Sequence, residues 1–144
     1  MEQLVEQMKV VLASAFSLYL KSHGFHWNVT GPNFSEYHSF FGSFYNSVHD
    51  SVDDIAEHIR ALGAYAPASY GRFAQLTHIQ DEPAIPAAID MMAKLALDND
   101  TLIQEYQAAH VLAEKYAENG LLNFIEGQLD FHQKMAWQLK AFGA

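Results

Sequence analysis

The sequence predicts an all-α fold: a four-helix bundle whose long middle crossover contains a short helix of its own. Three observations predict it. Four long stretches repeat apolar residues at steps of three and four, the spacing of one helix face. No stretch sustains the alternation of a strand. Gly63, Pro67, Gly71, Pro83 and Pro86 gather in one central region, which marks a single long connection between the second and third helical stretches.

In the first stretch Leu4, Met8, Val11, Ala15 and Leu18 draw one apolar stripe, predicting a helix from about Gln3 into the His23–Asn28 region. "TGPN" breaks it. Gly31 and Pro32 punctuate, Asn33 is placed to cap the next helix, and Glu36 three residues on resembles a capping-box partner. The second helix is predicted from about Phe34 to Leu62, with Phe41, Phe44, Val48, Val52, Ile55 and Ile59 inward. Within the connection "YGRFAQL" suits one or two helical turns. A third helix is expected from about Ala84 to Glu118, with Ile85, Ile89, Met92, Leu95, Leu102 and Tyr106 inward, and Asn119-Gly120 as its stop. The last runs from about Leu121 to Ala141 on Leu122, Ile125, Leu129, Met135 and Leu139. With no internal repeat or linker, residues 1–144 read as one domain. A single substantial crossover among four long helices fits the ferritin-like bundle.

Composition narrows the chemistry. The chain has no cysteine, so any metal site must use histidine and carboxylate, and a reducing cytoplasm is the expected compartment. No apolar run is long enough for a membrane span, and "MEQLVEQMKV" carries acids where a signal peptide carries bases. The net charge of −9 argues against direct nucleic-acid binding, which needs clustered Lys and Arg, and suits the gathering of cations. Half of the residues are apolar and only 17% charged, a lean surface that points to partner chains covering part of it.

Three of the eight histidines, His23, His26 and His38, fall within "HGFHWNVTGPNFSEYH". On the second helix His38, Gly42, Tyr45, His49, Asp53 and Glu57 recur at steps of three and four and share one face. Asp53 and Glu57, one turn apart, can both reach a single cation. His38 cannot join them within one chain, because fifteen residues of helix place it ~22 Å away. Two copies of the helix packed antiparallel about a two-fold near Tyr45 and Asn46 remove the difficulty. Residue 38 of one then lies beside residue 53 of the other, and the small residues Gly42, Ser43, Asn46 and Ser47 let the backbones approach.

The run 23–38, followed by "SVDDIAEHIRALG", resembles the signature of the Dps family of mini-ferritins. That signature has a histidine before Trp-Asn, a second twelve residues on, and Asp-x-x-x-Glu fifteen residues later. Here His26 precedes Trp27 and Asn28, and His38, Asp53 and Glu57 follow at those intervals. "HQKMAWQLKAF" resembles the family's last helix, so the likeness spans nearly the whole chain and is strongest over 23–63. The resemblance implies a ferroxidase that forms a hollow homo-oligomeric shell of twelve bundles. It implies Fe(II) bound between two-fold-related subunits, oxidised usually by hydrogen peroxide and stored inside as ferric mineral. Residue by residue, it implies His26 and His38 as ligands from one subunit and Asp53 and Glu57 from the other, with Trp27 beside them as a packing residue or a sink for stray oxidising equivalents.

Departures from the family pattern leave alternatives open. An acid is common four positions after the second histidine; here Gly42 stands there, and His49 or His23 is placed to compensate. Near the start of the last helix Glu118 matches an acidic pore position, while Asn123 replaces a common Asp. Glu114 and Glu126 keep that region negative, although solvated helix charges give the same pattern. No lysine-rich tail flanks the helices, against direct DNA binding. Arg60 is spaced to pair with Glu57, and His58, His78, His110 and His132 read as surface or core residues. The aromatic run 34–45 reads as interface packing. No Glu-x-x-His pair is present, which argues against a di-iron centre inside one bundle. The alternative function is a metal-binding shell of the same fold that turns over poorly, and Gly42 favours it.

Overall fold

The computed structural model describes residues 1–144 and is all-helical. Its elements are α1 (Glu2–Asn28), α2 (Phe34–Ala61), α3 (Tyr70–Leu76), α4 (Ala88–Lys115) and α5 (Asn119–Phe142). The stripe read from α1 is buried throughout. Leu4, Met8, Val11, Ala15 and Leu18 meet Phe41, Phe44, Val48, Ile55 and Ile59 of α2, and Met92, Leu95, Leu102 and Tyr106 of α4, in one core. Each buried Val, Leu, Ile, Phe or Met among them contributes roughly 1.5–3 kcal/mol of burial.

Pairings along the helices fix their directions. Gln7 on α1 donates to the carboxylate and carbonyl of Glu105 on α4, whereas Lys21, two turns from the end of α1, meets Asp98 nearer the start of α4. The two helices are antiparallel, so α4 runs parallel to α2, and the connection between them must travel the length of the bundle. That connection is tied to α1. Ser17 bonds Thr77 at 2.8 Å, Ser14 accepts from the His78 amide, and Lys21 donates to the Gln80 carbonyl. Within it α3 starts on a Ser69 side-chain cap and lays Phe73 against Phe16 of α1.

Several boundaries differ from the sequence reading. The third long helix begins at Ala88 rather than near Ala84, because Pro83 and Pro86 hold the residues before them out of helical conformation. Ile85 and Ile89, expected inward, are 63% and 48% exposed. Asn33 occupies the N-cap of α2 in the left-handed region (φ 65°) and makes no side-chain cap bond, so the Asn33–Glu36 capping box does not form. A backbone turn closed by Phe34 N–H on the Gly31 carbonyl does that work instead. Asn119-Gly120 is not a stop but the first turn of α5. The stop lies earlier, at Ala117 (φ 54°). There the Glu118 amide bonds the Ala113 carbonyl and the Ala117 amide bonds the Glu114 carbonyl, a Schellman closure with alanine in glycine's place. The same closure ends α2 on Gly63, where φ is 94° and no strain arises.

Within the chain, part of the aromatic run 34–45 joins the core and part leans on α5. Phe41 and Phe44 are core residues, and Phe40 and Tyr37 lie against Phe142 of α5. Between α4 and α5 a polar pair sits in the core: Asn99 Nδ2 donates to the His132 carbonyl at 2.9 Å and His132 Nδ1 donates to Asn99 Oδ1 at 2.7 Å. Burial pushes the His132 imidazole down to about 3, so the ring is neutral.

Candidate metal centre

The short turn between α1 and α2 folds them into a hairpin that brings His26 and His38 together. Their rings stack at 3.7 Å with 15° between planes. Each ring is held by the other's backbone, His26 Nδ1 donating to the His38 carbonyl and His38 Nδ1 to the His26 carbonyl, both at 2.7 Å. With each Nδ1 proton committed to a carbonyl, each Nε2 keeps a free lone pair, the arrangement that fixes tautomer and orientation in metal-binding histidines. The twelve-residue interval spanning a tight turn is the sequence signal that the two histidines meet.

Gly42 lies one turn beyond His38, beneath the His26 ring. A Cβ there would stand 3.2 Å from both Cε1 and Nδ1 of His26. The missing acid and the seating of His26 are therefore linked: the imidazole takes up the space beside position 42.

Asp53 and Glu57 are exposed on the same helix, and α2 runs unbroken from Phe34 to Ala61 between them and His38. The Glu57 carboxyl is held above its ordinary range by the hydrogen bond it shares with Asp53, and then by that neighbour's charge. Arg60 does not offset them. It turns instead to the Ala64 carbonyl, with its guanidinium 4.6 Å from the centre of the Tyr65 ring. Neither carboxylate has an ion-pair partner in the chain, and no group of three or more His, Asp or Glu residues within it is placed to hold a metal ion. The imidazoles and the carboxylates form two separate clusters, as the helix rise requires.

Between the clusters the α1–α2 groove is filled with rings. His23 stacks flat on Tyr45 at 3.8 Å, Tyr19 faces His49 at 4.6 Å, and Tyr45 lies 5.2 Å from His26. Burial, and then the charges of His26 and His49, keep the His23 imidazole below its ordinary range. Trp27, read from the sequence as a packing residue, is 61% exposed and touches His23 at 4.0 Å. Of the other histidines, His78 pairs with Glu105, His110 with Glu126, and His58 faces Phe124. Glu118 occupies the N-cap position of α5 without a side-chain cap bond, with Glu114, Asn123 and Glu126 close to it in sequence.

A ferritin-like domain model matches residues 3–143. The DNA protection during starvation protein of Helicobacter pylori is 30% identical over 137 residues, which cover 94% of this chain and 95% of that one. A low temperature-induced protein of Nostoc is 31% identical over 134 residues, covering 91% of this chain and 74% of its own. Among solved structures, antigen TpF1 of Treponema pallidum matches with a TM-score of 0.95 at 29% identity, over 99% of this chain and 92% of that one. Dps from Thermosynechococcus elongatus shares the fold at a TM-score of 0.96 and 23% identity, over 99% and 91%. The match over nearly the full chain, with a relative so named at 30% identity, makes this chain a member of the Dps family of ferritin-like proteins.

Proposed function

We propose that the chain is an iron-oxidising, iron-storing mini-ferritin. Fe(II) binds between two-fold-related copies, held by His26 and His38 of one and by the partner's Asp53 and Glu57. It is oxidised there with hydrogen peroxide or oxygen and is kept as ferric mineral inside a shell of twelve chains. The observation that carries this reading is the reciprocal lock of His26 and His38, which presents two Nε2 lone pairs ready for a metal. The donor set fits iron: neutral imidazoles and carboxylates suit Fe(II), and the two carboxylates have no cation of their own.

In this reading the chain's residues hold and orient rather than attack. The carbonyls of residues 26 and 38 keep both rings aimed without rearrangement on binding. A carboxyl binds the cation only in its ionised form, and the Glu57 carboxyl is held above its ordinary range, so affinity falls as pH falls. Exposed apolar side chains, among them Leu97, Val111 and Trp137, are the surface that neighbouring copies would cover.

The test is anaerobic Fe(II) loading followed by peroxide, with ferric absorbance as the readout, on protein of measured assembly size. Twelve chains of 16.2 kDa give about 194 kDa. A monomer sinks the intersubunit site. Gly42 favours a second reading, a shell that binds metal but turns over poorly, because position 42 supplies no carboxylate. A full-size shell that oxidises iron no faster than buffer selects that reading.

A further inference from the structure

We propose that the bundle core binds one ordered water molecule, which bridges Tyr106 Oη on α4 to His132 Nε2 on α5, with Ser51 of α2 as its third partner. The site lies inside a single chain. It therefore depends neither on the iron site nor on contacts between copies.

Three buried side-chain atoms have no hydrogen-bond partner within the chain: Asp98 Oδ2, Tyr106 Oη and His132 Nε2. The first is answered by charge, with the Lys21 ammonium at 2.8 Å. The other two belong to neighbouring rings, whose centres are 5.7 Å apart and whose planes meet at 32°. Both residues are fully buried. A polar group left unpaired in such a place costs free energy, and nearly all of them in native proteins are paired with protein or with water.

The two atoms are complementary. Asn99 spends its Nδ2 on the His132 carbonyl, so its Oδ1 accepts and the imidazole carries its proton on Nδ1. Nε2 is then a bare lone pair. Burial keeps this ring neutral and pushes the Tyr106 phenol above its ordinary range, so the phenol retains its proton as a donor. Donor and acceptor do not reach each other directly. A water accepts from the phenol and donates to the imidazole, which no apolar filler can do. Its second proton also has a destination. The Ser51 hydroxyl neighbours the phenol and gives its own proton to the Val48 carbonyl, which leaves its oxygen free to accept. Three partners is the usual number for a buried water.

The position of this water gives it a structural task. The side-chain hydrogen bonds of α2, the helix that carries His38, Asp53 and Glu57, run to α1, to α2 itself and to Ala64. None reaches α4 or α5, and no ion pair does so either. Through Ser51, two residues before Asp53, the water is the polar tie between α2 and the α4–α5 hairpin.

The test joins an atomic-resolution crystal structure of the full chain, solid-state 15N spectra of its histidines, and urea unfolding of Tyr106→Phe. The expected density is one water at about 2.8 Å from both Tyr106 Oη and His132 Nε2. The Nε2 resonance should lie upfield of the position of a free lone pair, because the water donates to it. Tyr106→Phe should lower the unfolding midpoint, since it takes away the water's donor. A phenol bonded directly to Ser51 with no density beside the imidazole overturns the site, as does an Nε2 resonance at the free position. A midpoint that rises also overturns it, because that is the response to deleting an orphaned hydroxyl from a core. Should the variant fail to fold, the wild-type density and spectrum decide the matter.

Discussion

Replacing His132 by Gln should flatten the acid side of the protein's stability profile. His132 is fully buried, its Nδ1–H is given to Asn99, and its pKa is pushed down to about 3. In the unfolded chain it returns to about 6.5. Between these values the unfolded state binds the proton and the native state does not, so stability is fully present above about pH 6.5 and is lost as pH falls towards 3. The slope is about 1.4 kcal/mol per pH unit, which amounts to about 2 kcal/mol by pH 5 and about 4 kcal/mol by pH 3, where the native ring begins to take the proton too. Glutamine can still donate to Asn99 Oδ1 but does not titrate. Urea unfolding of both proteins at one chain concentration, stepped from neutral pH towards pH 4.5, gives two stability lines. Other carboxylates and any subunit contacts tilt both lines, and their difference isolates position 132. The wild-type line should be steeper by about 1.4 kcal/mol per unit below pH 6.5. Parallel lines would refute the claim that this imidazole is held neutral in the core.

Three further substitutions follow from the geometry. Ala117→Gly should stabilise the α4–α5 turn by about 1 kcal/mol in thermal or urea unfolding, because φ 54° strains alanine and not glycine. Gly42→Ala should leave helix content unchanged, yet weaken Co(II) binding about 10-fold in a spectroscopic titration. The new Cβ, 3.2 Å from His26, presses on a ring that its carbonyl bond and its stack on His38 prevent from yielding. Asn99→Ala should cost about 1–3 kcal/mol in unfolding free energy by leaving the His132 Nδ1–H unpaired in the core.

The sequence was most legible where one physical period governs it. The α1 stripe from Leu4 to Leu18 is buried as spaced, and α2 is continuous across the interval that separates His38 from Asp53. It was least legible where backbone geometry or a distant partner decides. Ala117 takes a left-handed conformation that nothing in its identity announces, and it ends a helix two residues before the Asn-Gly that looked like the stop. Arg60 is spaced for Glu57 but finds a carbonyl and an aromatic ring closer at hand. His132 read as an ordinary surface or core residue, since its partner Asn99 is 33 positions away on another helix. The twelve-residue interval between His26 and His38 was visible. The lock between them was not, because it runs through backbone carbonyls. His23, which the sequence offered as a compensating neighbour of the site, bonds Tyr19 and stacks on Tyr45.

The central claim is that each iron site draws its halves from two chains, and mixing tests it most directly. His38→Ala and Asp53→Ala should each abolish rapid ferric formation when assembled alone. Unfolded together in equal amounts and reassembled, half of the two-fold pairs are mixed, and each mixed pair rebuilds one of its two sites from the intact His38 and the intact Asp53. The account predicts recovery of about one quarter of wild-type ferroxidase activity. Mixed assemblies of full size that stay as inactive as either parent would contradict it.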